Sequence, residues 1–277
     1  MKLKSALATL LVSSIFSAPA MATTLTNLDG SFNNFTGFDW SSVGQGLITG
    51  YDTTSATPTG NIDPFQLQFQ ANATSLIVNG LNVNPTLDPG LNTTYEYTVF
   101  ATVNETATCL TDGINTCGAV ALNIVSGTWA IYYDTNTGTF ANYPAGTGFT
   151  DGILLLSGTF TSGNTVIGVQ GATNPGNNSL GATFFGTVLT TNTTYVNPLL
   201  TGTTATSTLQ FGNTQTGGWV APAAFNGVAT PTTSNTNFTF QADANQSFVA
   251  VPEPGSLALV GLALGGLGFL GRRRKQH

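Results

Sequence analysis

The sequence predicts an all-β domain, a sandwich or jelly roll, and three observations carry that prediction. Apolar and polar residues alternate with a period of two in segment after segment. Gly, Asn and Pro turn clusters such as Asn84-Pro85, Asp88-Pro89-Gly90, Asn174-Pro175-Gly176 and Gly217-Gly218 separate those segments. Between the two ends of the chain, no stretch shows the 3.6-residue apolar stripe of an amphipathic helix.

The strands follow in order. Phe65, Leu67, Phe69 and Ala71 alternate with Gln66, Gln68 and Gln70. Tyr95, Tyr97, Val99, Ala101 and Val103 alternate with Glu96, Thr98, Phe100, Thr102 and Asn104. Trp129, Ile131 and Tyr133 fall on one face of a third strand. Further strands are predicted at Ile153–Thr161, Thr165–Val169, Thr183–Thr190, Thr206–Phe211, Asn237–Ala242 and Ser247–Val251, with a loose loop over Asn226–Ser234. Abundant Thr suits exposed strand positions, and Asn suits turns.

Charge is distributed in an unusual way. The chain has 277 residues, of which only 6% are charged. All six basic residues lie at the ends: Lys2, Lys4, Arg272, Arg273, Arg274 and Lys275. From Thr23 to Val251 there is no Lys, Arg or His, and eleven of the twelve acids fall in that span. A purely anionic domain offers nothing to phosphates, which argues against a nucleic-acid partner. Ser–His, Cys–His and Ser–Lys catalysis and histidine-ligated zinc lack their residues there. The same composition gives a direct test, because trypsin has no cleavage site between Thr23 and Val251. Exhaustive digestion of the unfolded protein is expected to leave that span as one fragment in a mass spectrum, and internal tryptic cuts would contradict it.

The two ends read as addresses. Lys2 and Lys4 precede a short apolar run, Leu7 to Phe16, and Ala20-Met21-Ala22 is a small-x-small cleavage site. Residues 1–22 are therefore expected to be a cleaved signal peptide, with Thr23 the first residue of the extracellular β domain, 23–251. At the other end stand Pro252-Glu253-Pro254, an apolar helix over residues 255–271, and the basic cluster 272–275. Seventeen helical residues span about 25 Å, the short limit for crossing a bilayer. The basic cluster is expected to stay cytoplasmic, with the domain outside.

What chemistry the domain can hold is limited. Glu96 and Glu105 are its only glutamates, and nine residues apart on one strand they face opposite ways. Paired carboxylates in a secreted glycoside-active enzyme, or a carbohydrate-binding module, are the alternative to a non-catalytic protein. Trp40, Trp129, Tyr132, Tyr133 and Trp219 are the aromatic residues available for sugar stacking, against core packing as the commoner use. Asp134-Thr135-Asn136-Thr137-Gly138 resembles half a calcium loop, which Asp151 would complete by approaching in space, and a plain turn is the favoured reading. Calcium is the one cofactor this pattern admits. Cys109 and Cys117 bracket a short loop between two strands, where an exported protein forms a disulfide.

Two resemblances add to this. Pro252-Glu253-Pro254, the Gly/Leu/Ala helix and Arg272-Arg273-Arg274-Lys275 together resemble the PEP-CTERM sorting signal. That resemblance implies recognition and removal of the tail by an exosortase, a membrane cysteine transpeptidase-like enzyme, with transient membrane attachment through the helix. It covers about the last 26 residues. Over residues 30–160, Phe38-Asp39-Trp40, Pro64–Gln70, Leu91–Val99, Ile131-Tyr132-Tyr133-Asp134 and Gly146–Gly152 stand in an order similar to the flocculation-associated PEP-CTERM proteins. This second resemblance implies a non-enzymatic cell-surface or matrix protein that aggregates cells with exopolysaccharide or through self-association.

Overall fold

The computed structural model describes residues 22–51, 60, 62–112, 117–168, 180–211, 219–232, 234 and 236–249; the side chains of 111–112, 117–119, 164–168, 180 and 211 are not described. The chain divides into two units, Ala22–Val249 and a second made of Met1–Met21 with Ala250–His277. The expected signal helix and C-terminal sorting helix lie outside the described residues. Among the described residues, no helix is long and apolar enough to cross a membrane.

Ala22–Val249 is all-β. Its strands are β1 (Thr24–Asn27), β2 (Gly30–Asn33), β3 (Phe35–Trp40), β4 (Gly44–Thr49), β5 (Ile62–Val78), β6 (Leu81–Asn82), β7 (Glu96–Asp112), β8 (Cys117–Asp134), β9 (Ile153–Gly168), β10 (Leu180–Thr191), β11 (Val196–Asn197), β12 (Thr204–Phe211), β13 (Ala224–Phe225), β14 (Val228–Ala229) and β15 (Asn237–Val249).

The main sheet closes on itself. Antiparallel neighbours run β5-β7-β8-β9-β10-β12-β15, and β15 then pairs with β3 and β4, which both pair back to β5. With β3 and β4 sharing one stave, this is an eight-stave barrel. The expectation holds at the coarser level of an all-β, barrel- or sandwich-like fold, and closure of the sheet is what the sequence did not show. Sandwich and barrel strands carry the same period-2 signal, and strand length separates them here. Four staves run to 16–18 residues, about three times the usual strand. Bulges at Asn104/Glu105, Cys109/Thr111 and Phe185/Gly186 let such strands coil around a closed core.

The inward faces are those the alternation predicts. Phe65, Leu67, Phe69, Tyr97, Val99, Ala101, Val103, Trp129, Ile131 and Tyr133 are all buried in one core. Its aromatic centre includes Phe38 stacked on Trp40 at 5.1 Å and Trp129 at 5.9 Å from Phe248. Gly158 makes room for the Trp129 indole, since a Cβ there would lie 2.3 Å from the ring. Two predicted strands, Asn237–Ala242 and Ser247–Val251, are one strand in fact. Ala242, Ala244, Gln246 and Phe248 keep the inward period through the join.

Outside the barrel lie parts the periodicity did not reveal. A small sheet, β11-β1-β2, adds Leu25 and Val196 to the core. Thr23 is buried, and its carbonyl accepts the Phe35 N–H at 2.8 Å. The segment expected to be a loose loop holds the turn and second strand of the β13–β14 hairpin, turned by Asn226-Gly227 with positive φ at both residues (46° and 74°). That is the type I′ signature of Asn-Gly.

Candidate functional site

The expected site residues are positioned by β7, β8 and the loop that follows β8. Glu96 opens β7 directly opposite Asp134, the last residue of β8. Glu96 points outward but is only 2% exposed, because the 135–151 loop folds over it and donates the Ala141 N–H to its carboxylate at 2.7 Å. Burial pushes the Glu96 carboxyl up to about 7; the Ala141 N–H opposes this, and the charges of Asp134 and Asp151 add to it. The structure therefore brings Asp151 toward Asp134, as the calcium reading requires. The oxygens nevertheless serve a turn. Asp134 accepts the Asn136 N–H at 2.7 Å and the Thr139 hydroxyl at 2.8 Å, and Asn136 Oδ1 accepts the Gly138 N–H at 3.2 Å. Among the described residues, no group of three or more His, Cys, Asp or Glu is arranged to hold a metal.

Glu105 lies on the other face of β7, inside the barrel between Phe65 and Ile124. It is 4% exposed, its Oε1 has no hydrogen-bond partner, and desolvation pushes its carboxyl up to about 8. The two glutamates cannot act on one bond from opposite sides of a sheet.

The aromatic candidates divide in the same way. Trp40, Trp129 and Tyr133 are each 2% exposed and belong to the core, so they are not available to stack on a sugar. Tyr132 and Trp219 are half-buried. In the barrel interior, a cavity of about 30 Å³ is lined by apolar side chains together with Trp129, Ser207 and Gln246. The Trp129 Nε1, Ser207 Oγ and Gln246 Nε2 atoms all lack partners. Room on that scale takes about two water molecules. A sugar ring does not fit in that space.

The sequence did not single out the polar layer on the outer surface. Gln70 donates to Gln45 Oε1 at 2.9 Å, Gln45 donates to the Tyr143 carbonyl at 2.7 Å, and the Tyr143 hydroxyl donates to Asn72 Oδ1 at 2.5 Å. These bonds fasten the 135–151 loop to the outside of β4 and β5. Beyond it, Gln66 donates to Asn104 at 3.1 Å and Asn104 to Ser126 at 3.0 Å, a solvent-facing ladder across β5, β7 and β8. A second acidic cluster, Asp29 with Asp88, was also missed; its members are 59 residues apart and no motif links them.

Cys109 is buried on β7 and is not free. Register places it opposite Val120, while Cys117 faces Asp112. The Cys117 side chain lies outside the described residues, so the disulfide stays a proposal.

A closed antiparallel barrel that spends its largest aromatics on its own core is the class the described residues define. Its address lies in the tail: residues 250–275 match the PEP-CTERM protein-sorting motif family. The match takes in Pro252, Glu253, Pro254 and Arg272 to Arg274. The chain thus carries a PEP-CTERM sorting motif at residues 250–275, the mark of proteins exported across the inner membrane to the cell surface or extracellular space. The motif implies an exosortase as processing partner. No curated protein and no solved structure matches the chain.

Proposed function

We propose that the exported barrel is a non-catalytic surface or matrix protein that promotes cell aggregation, or flocculation, by holding exopolysaccharide. The observation that supports this most is the Gln66–Asn104–Ser126 ladder. It displays neutral amides and a hydroxyl at strand spacing on the outer face, a chemistry matched to sugar hydroxyls. Ion pairing with an anionic polymer is ruled out by composition, since residues 23–251 hold no basic side chain. Self-association through strand edges loses its main route on closure of the barrel, because every stave is paired on both sides. Among the described residues, the open edges that remain are short: β2 and β11 of the small sheet, β6, and the β13–β14 hairpin. Sedimentation of purified full-length protein with floc exopolysaccharide tests the reading. Wild type is expected to co-sediment. The triple change Gln66→Ala, Asn104→Ala, Ser126→Ala removes several hydrogen bonds of about 1 kcal/mol each and should weaken binding by roughly tenfold or more. An EDTA arm separates direct binding, which survives chelation, from calcium bridging, which does not. Absence of binding with and without calcium, or unchanged flocs after deletion of the gene, contradicts the proposal.

A further inference from the structure

A cluster of oxygens lies where the β1–β2 turn meets the segment before β7. Asn27 Oδ1 accepts the Asp29 and Gly30 N–H groups at 2.9 and 3.2 Å, which fixes the turn. Asn27 Nδ2 donates to Asp88 Oδ1 at 3.1 Å and to the Tyr95 hydroxyl oxygen at 2.9 Å. Asp29 Oδ2 accepts the Gly90 N–H at 2.6 Å and contacts the Tyr95 hydroxyl at 2.8 Å. The same Tyr95 hydroxyl also contacts Asp88 Oδ1. Gly90 permits this approach, since a Cβ there would come within 2.9 Å of Asp29 Oδ2 and 2.5 Å of the Tyr95 ring.

Counting protons exposes a deficit. One Tyr95 hydroxyl hydrogen serves two carboxylate oxygens, so one of those contacts is oxygen against oxygen with nothing between. Two further oxygens are buried there without a partner: Asp88 Oδ2, and the hydroxyl of Tyr97, a residue that is 0% exposed. The Tyr97 hydroxyl lies beside Asn27 and in the field of both Asp29 and Asp88. Opposed carboxylates of this kind are normally compensated by Lys or Arg, and residues 23–251 contain neither. A proton on Asp88, whose carboxyl is held above its ordinary value by burial, or a cation from solution can fill the gap, and only the cation also serves the exposed Asp29 at neutral pH. Asp29 is exposed, which leaves the cluster open to solvent on its side.

We propose that Asp29 and Asp88 form a calcium site, with water completing the shell and the Tyr97 hydroxyl facing it. An all-oxygen donor set selects a hard cation, and Ca²⁺ tolerates an irregular, partly hydrated shell better than Mg²⁺. The site differs from the Asp134–Asn136–Asp151 turn. It stands whether or not the protein binds polysaccharide, because it is read without any polymer present.

Terbium titration of the purified full-length chain in detergent is the test, because the Tyr95 and Tyr97 rings are placed to sensitise Tb³⁺ emission. Wild type should give a saturable signal that Ca²⁺ competes away at about 0.1–1 mM, the range of extracellular calcium modules. Asp29→Asn and Asp88→Asn should each weaken Tb³⁺ binding by about tenfold or more, while Asp134→Asn and Asp151→Asn leave it unchanged. Asp29 is exposed, so its variant keeps the fold even if Asp88→Asn does not, and circular dichroism checks both. A wild-type signal that does not saturate or ignores Ca²⁺ overturns the site. So does an Asp29→Asn protein that binds like wild type, or an Asp134→Asn protein that loses binding equally.

Discussion

Replacing Pro252-Glu253-Pro254 with three alanines is expected to change a released surface protein into a longer, membrane-retained one. The physical argument is local. Proline disfavours helix in the residue before it, so the sequence leads one to expect an extended Val251 and Glu253 just ahead of the apolar segment. Alanines remove that restriction and favour continuing the helix through the recognition site. A helix over residues 255–271, as the sequence predicts, would be a poor permanent anchor, with seventeen residues of about 25 Å and glycines at 261, 265, 266 and 268. Small residues at Gly261, Gly265 and Gly268 suit close packing against a partner helix during processing. Wild-type protein recovered from the surface should therefore lack Arg272–Arg274, and the alanine variant should retain them in the membrane fraction. C-terminal peptide mapping decides the matter. Arg272–Arg274 found on released wild type, or normal maturation of the variant, would mean that the tail only anchors.

The second large effect is on stability and comes from Glu105. A carboxyl held at about 8 in the folded state, against an ordinary 4.5, binds a proton more tightly folded than unfolded. The contribution is complete below about pH 4.5 and is lost progressively as pH rises to about 8. At roughly 1.4 kcal/mol per pH unit, the loss is on the order of 5 kcal/mol, a large share of a domain's stability. Glu96, held up to about 7, acts in the same direction over a narrower window. Urea denaturation should thus show a domain more stable at pH 5 than at pH 9, and Glu105→Gln should remove most of that difference by stabilising the alkaline form. The same pH slope in Glu105→Gln as in wild type would show that the buried carboxyl is not its source. The general repulsion among the acids also weakens in acid, and the variant separates the two because it alters only one charge.

The sequence by itself determined the strand class, the inward face of each long strand and the C-terminal address. All are local signals. Alternation at Tyr95–Val103 depends only on which residues are apolar, and the Pro-Glu-Pro, helix and arginine cluster are contiguous. Tertiary structure decided the rest. Whether alternating strands form two sheets or one closed barrel depends on which strand β15 meets, and β12, β3 and β4 lie far from it in the chain. The outer face of β7 reads as solvent-facing, yet Glu96 and Thr98 are 2% and 1% exposed because the 135–151 loop lies over them. Gln70 alternates with apolar residues as an outward amide, yet it and Gln45 are fully buried for the same reason. Trp40, Trp129 and Tyr133 read as sugar platforms or core, and the closed interior took all three. Asp29 and Asp88 share no motif, and they meet because the β1–β2 turn packs against the segment leading into β7. Periodicity reports on neighbours along one strand; contacts between distant segments depend on closure of the barrel and the loops laid over it.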